Sequence, residues 1–83
     1  MIVYHGTGAN RAKQILAHGF HGCNGRSWVT ADIGEAQNYA DMAPDVLYDE
    51  MHGKIVRARL VDGALQADDY SYSDIDIIPE EVI

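Results

Sequence analysis

The chain predicts an α+β domain in which two amphipathic helices pack on a small mixed or antiparallel sheet. Three observations lead there. Apolar residues recur at spacings of three and four in two separate segments, residues 54–61 alternate with period two, and short β-branched or aromatic runs bounded by glycine precede each helix. With 83 residues the chain fills one domain, 1–83, because so short a sequence cannot support two independent cores. At about 0.05 to 0.15 kcal/mol per residue such a fold is worth roughly 4 to 12 kcal/mol in all.

Ile2 to His5 reads as a strand ending at Gly6-Thr7-Gly8. Asn10 is placed to cap a helix carrying Ala12, Ile15, Leu16 and Phe20 on one face, with Gly19 as its stop. The glycine-bearing stretch from His21 to Arg26 is a loop, and Ser27 to Thr30 is a second short strand. Asp32 followed three residues later by Glu35 has the spacing of a capping box, opening a helix with Ala36, Tyr39, Ala40 and Ala43 on one face and Pro44 at its end. Val46 to Tyr48 fits either a short strand or a turn of helix. Across 54–61, Val56, Ala58 and Leu60 share the buried face, while Ile55, Arg57 and Arg59 share the other. Asp62-Gly63 is a turn, the acidic segment 66–74 a loop, and Ile75 to Ile78 a final strand before Pro79.

No run approaches the roughly 20 apolar residues of a membrane span, so membrane association is not expected. No basic region followed by a long apolar stretch marks a signal peptide, and the single Cys23 cannot form an internal disulfide. A cytoplasmic setting is the expectation. The net charge is -7, and it is segregated: the first 31 residues hold Arg11, Lys13 and Arg26 and no acid, whereas all thirteen acids fall in 32–83. An acidic half repels nucleic acid and attracts basic protein surfaces, although it equally serves as a solvated face. His18, His21 and Cys23 cluster in sequence without the paired spacing of a structural zinc site, so no metal is expected.

The residues with chemical potential are His5, Gly6, Trp28 and Tyr39. A glycine at a strand end lets the backbone approach a ligand, a neutral imidazole beside it makes one directed hydrogen bond, and flat aromatic faces stack on a ring. Each also fits a structural role, as a satisfied histidine, a turn glycine or a core aromatic. In order, the segments around "YHGT", "HGF" and "SWVTADIGEAQNYA" resemble the ADP-ribosyltransferase superfamily, which includes poly(ADP-ribose) polymerases and diphtheria-type toxins. The resemblance covers the first half of the chain and implies a minimal or degenerate member that takes NAD as substrate. It implies that His5 bonds the adenosine ribose, that the Gly6 backbone holds the nicotinamide amide, that Thr7 closes the strand end, and that Trp28 and Tyr39 sandwich the nicotinamide ring. A tryptophan stands where the family usually has tyrosine.

The family also carries a glutamate on a late strand, and here the match is imperfect. If the whole stretch "SDIDIIPEEVI" is that strand, its in-strand acids are Asp74 and Asp76, while Glu80 and Glu81 follow Pro79. All four are candidate catalytic acids. An aspartate sits about one methylene short, and a misplacement near 1 Å costs on the order of a hundredfold in rate. The alternative reading is a non-catalytic acidic inhibitor that mimics DNA and blocks a basic nucleic-acid-binding protein surface, in the manner of phage-encoded anti-CRISPR proteins of similar size. Its expected contacts are Asp68, Asp69, Glu80 and Glu81.

Overall fold

The computed structural model describes residues 1–42 and 53–83; Ala43, Pro44 and the ambiguous segment Val46 to Tyr48 lie outside them. The elements run β1 (Ile2–Thr7), α1 (Ala9–His18), β2 (Arg26–Trp28), α2 (Ile33–Met42), β3 (Lys54–Leu60), β4 (Ser71–Ser73) and β5 (Ile77–Val82), with single 3₁₀ turns at Cys23–Gly25 and Asp74–Asp76. They form an α+β domain with two antiparallel sheets, one of order β1-β3-β5 and a two-stranded one of β2 and β4.

The alternation along β3 places its two faces as the sequence predicts. Val56, Ala58 and Leu60 join Val3, Ala12, Ile15, Phe20, Val29 and Ile77 in the main core, under α1. On the opposite face Ile55 meets Ala36 and Ala40 of α2, with Tyr4 alongside. One helix therefore covers each face of the three-stranded sheet. Helix α2 seats on glycine: a Cβ on Gly6 would fall 1.8 Å from the Ala36 carbonyl oxygen, and one on Gly53 would fall 1.9 Å from that of Ala40. Only hydrogen side chains allow the helix backbone to lie this close to the sheet.

Several boundaries differ from the sequence reading. Gly8, not Asn10, is the residue before α1, and Asn10 lies inside the helix. Leu16 is exposed, and Phe20 joins the core from beyond the helix end. Asp32 does cap α2, accepting from the Gly34 N–H at 2.8 Å, but its own N–H donates to Thr30 Oγ1 at 3.0 Å. Thr30 thus replaces Glu35 as the second partner of the capping box, and the Glu35 side chain turns outward. The supposed acidic loop contains a strand, β4, which pairs Ser71 with Trp28 and Ser73 with Arg26. The last strand begins two residues later than predicted and runs through Pro79. Proline is compatible because β5 is an edge strand, where a missing N–H leaves no ladder bond unmade.

A candidate ligand groove between the first two strands

His5 and Val56 are direct cross-strand partners, so the imidazole lies on the main-core side of the sheet. Its ring meets Phe20 edge-on, with centroids 5.3 Å apart at 87°. Nδ1–H donates to the Trp28 carbonyl at 2.6 Å. That bond fixes the tautomer and leaves Nε2 as an acceptor. Burial, reinforced by the positive charge of Arg11, lowers the His5 pKa below 6.5, against the opposing pull of the Trp28 carbonyl and of Asp74. The ring is neutral at pH 7.

The main chain beside it is equally well placed. Tyr4 exchanges both main-chain bonds with Thr30, at 2.7 and 2.9 Å, so its polar groups point away from β3. Two residues on, the alternation of an antiparallel ladder turns the N–H and C=O of Gly6 toward the same open edge. The Tyr4–Thr30 bridge is isolated, because beyond it the Trp28 carbonyl bonds the His5 ring and the chains part. A groove of about 280 Å³ occupies this parting and is lined by His5, Arg11, His21, Arg26, Ser27 and Trp28, among others. A second groove of about 350 Å³ shares Arg11, Ile15 and His21 with it, extending the site along α1. Two arginines converge here on a molecule of net charge -7. The arrangement suits an elongated anion carrying hydroxyl groups: guanidinium forks bind phosphate oxygens, and Nε2 accepts from a hydroxyl.

The two aromatics are not held apart. Trp28 and Tyr39 touch, with ring centroids 4.4 Å apart and planes inclined by 44°. A ring sandwiched between two faces needs them about 7 Å apart, twice a stacking distance of about 3.5 Å. The expected nicotinamide slot is closed in this conformation, and each ring offers only its outer face. Thr7 is buried at the end of β1, opposite Lys54.

The candidate acids separate into distinct groups. Asp74 lies in the 3₁₀ turn rather than in a strand and accepts from the Gly22 N–H at 2.8 Å and the Ser27 hydroxyl at 2.5 Å, one on each carboxylate oxygen. It braces the floor of the groove. Asp76 occupies the same turn, where its carbonyl accepts from the Val61 N–H. Glu80 and Glu81 are within β5, not beyond it; the register shift opposite Arg57 and Ala58 brings both toward the arginines of β3. Arg57 lies 3.1 Å from Glu81 and 3.8 Å from Glu80, and Arg59 lies 3.8 Å from Glu80. These carboxylates are on the sheet face opposite His5 and two strands away from it. Asp69 accepts from the N–H and hydroxyl of Ser71, and that hydroxyl bond holds its carboxyl below the usual aspartate value. Asp68 is exposed beside it.

The structure thus brings His5 and Trp28 together in the groove, with Gly6 adjoining it along β1, and adds Arg11, His21 and Arg26, which the motif reading did not single out. Their signal was present as the wholly basic charge of residues 1–31. No helix among the described residues is long and apolar enough to cross a membrane. No family model, curated protein or solved structure matches the chain.

Proposed function

We propose that the groove between β1, α1 and β2 binds NAD and that the chain is a minimal ADP-ribosyltransferase-like domain with a macromolecular, protein target. The observation that carries this reading is the His5 constellation: a neutral imidazole locked by Trp28 in the wall of a groove that two arginines also line, beside the Gly6 main chain turned away from β3. The groups suit the parts of the dinucleotide. Nε2 accepts from a ribose hydroxyl, the Gly6 edge offers one donor and one acceptor to a carboxamide, and Arg11 and Arg26 face the diphosphate. NAD itself supplies the glycosidic bond whose cleavage would release nicotinamide.

Transfer of ADP-ribose should be slow. Stabilising charge on a ribose needs a carboxylate at the reacting carbon, and Asp74 has both oxygens engaged while Glu80 and Glu81 face Arg57 and Arg59 across the sheet. The acidic-inhibitor reading has less support for the same reason: of its four expected contacts, Glu80 and Glu81 are paired internally and Asp69 holds Ser71. The test is a titration with NAD, ADP-ribose and nicotinamide riboside, followed by incubation with labelled NAD. The reading expects NAD and ADP-ribose to bind more tightly than the riboside, which lacks the diphosphate, and label to transfer slowly or not at all. Equal or absent binding of all three would overturn it.

A further inference from the structure

On the other side of Trp28 lies a groove that NAD recognition does not use. It has a volume of about 460 Å³, and its walls include Trp28, Tyr39, Tyr70, Tyr72, Glu35 and Gln66. We propose that this groove is a recognition pocket for an arginine side chain presented by a protein partner.

Four aromatic rings line one opening, drawn from β2, α2, the turn that enters β4 and β4 itself. Their exposure is not that of a core: Tyr39 is 48% and Tyr70 is 68% exposed, although Tyr72 packs against the main cluster. Tyr70 is held at φ 63°, a left-handed conformation that side chains other than glycine rarely adopt, and its ring is kept at the mouth of the groove. Glu35 adds a carboxylate, available because Thr30 takes the capping role expected of it. Five of the residues that line the groove, Glu35, Tyr39, Gln66, Tyr70 and Tyr72, come from the half of the sequence that holds every acid, and Glu35 is the one charged side chain among the lining residues, so the local charge favours a cation.

Aromatic faces beside a carboxylate attract cations, and the polar groups decide which kind. A quaternary ammonium carries no donors and suits a wall without acceptors. A guanidinium is planar and carries five N–H donors that need acceptors. Here the wall supplies the Glu35 carboxylate, the Gln66 amide oxygen and tyrosine hydroxyls, together with indole and phenol faces for stacking. An arginine flanked by peptide bonds matches this better than free arginine, whose own carboxylate would meet an acidic surface. The pocket binds the side chain without modifying it and does not depend on NAD occupying the His5 groove.

Trp28 is the single tryptophan, so intrinsic fluorescence reports on this groove directly. The full chain is titrated with a blocked Gly-Arg-Gly tripeptide, its lysine counterpart, free L-arginine and tetramethylammonium. The expected result is a saturable change with the arginine peptide, weaker binding of the other three, and a loss of about fivefold or more in affinity in Tyr70→Ala and in Glu35→Gln, the scale of one cation–π or ionic contact. Both substitutions fall on exposed side chains, and circular dichroism checks their folding. No saturable change in wild type, or unchanged affinity in both folded variants, would overturn the proposal. Tighter binding of tetramethylammonium would overturn the guanidinium assignment, and tighter binding of free arginine would overturn the protein partner.

Discussion

His5 is held by a hydrogen bond at one nitrogen and an aromatic edge on its flank, so its protonation is coupled to folding. Because burial depresses its pKa in the folded chain, the unfolded state, titrating near 6.5, binds more protons as the pH falls below that value. Stability contributed by neutral His5 is therefore complete above about pH 6.5 and declines as the pH drops toward the lower folded pKa. Thermal melts between pH 7.5 and 5 should show a steeper loss for wild type than for His5→Gln, which keeps a donor but does not titrate. Equal slopes would place His5 in a solvated setting. Gly6 is constrained on its other side. Gly6→Ala should cost about 3 kcal/mol in denaturant unfolding, because α2 must lift from the sheet to admit a methyl group. The position of His5 and Gly6 near the end of the first strand was legible in the sequence from the short β-branched and aromatic run that precedes them. The closed contact between Trp28 and Tyr39 was not, because spacing fixes which elements carry the rings but not the separation of those elements.

At the scale of elements, the groove depends on how the segment 21–28 is tied down. Asp74 reaches across from the turn before β5 and holds the Gly22 N–H and the Ser27 hydroxyl. Asp74→Ala removes two charge-assisted bonds and should destabilise the fold by roughly 2 to 3 kcal/mol, with faster hydrogen exchange at the Gly22 amide. Retained protection at Gly22 would show that the loop is held by other contacts. The alternation of β3 and the periodicity of the helices were readable because each element buries one face. β4 was missed because its three residues lie between acidic and glycine-free turn residues, and three residues are too few to establish a period. The start of β5 was misplaced because the pattern at Ile75 and Ile77 alternates like a strand, whereas Asp74 to Asp76 turn as a 3₁₀ helix and leave Ile75 83% exposed. Pro79 was read as a terminus because edge position is a property of topology, which local sequence does not encode.

At the scale of the molecule, charge segregation in the sequence survives in part: Asp74 bonds Gly22 and Ser27 of the arginine-lined groove, and Arg57 and Arg59 pair with Glu80 and Glu81, but the two grooves carry opposite charges. Arg11 and Arg26 come together with His5 and His21 at one groove, while Glu35 and the aromatic side chains line another beyond Trp28. A diphosphate bound between two exposed arginines is sensitive to ionic strength, since the Debye length falls from about 10 Å at 0.1 M to about 3 Å at 1 M salt. NAD affinity should therefore fall as salt rises, and calorimetry in two buffers checks it; salt-independent binding would point to a site without the arginines. The central claim is that NAD lies against His5. The most direct measurement follows the imidazole ring resonances by NMR during an NAD titration, with His5 assigned from the signals missing in His5→Gln. If NAD accepts the role proposed for it, the His5 ring signals shift saturably, with a bound-state pKa altered by the new contact at Nε2. If the His5 signals stay fixed while the protein is saturated with NAD, or if no histidine responds at any concentration, the groove is not an NAD site.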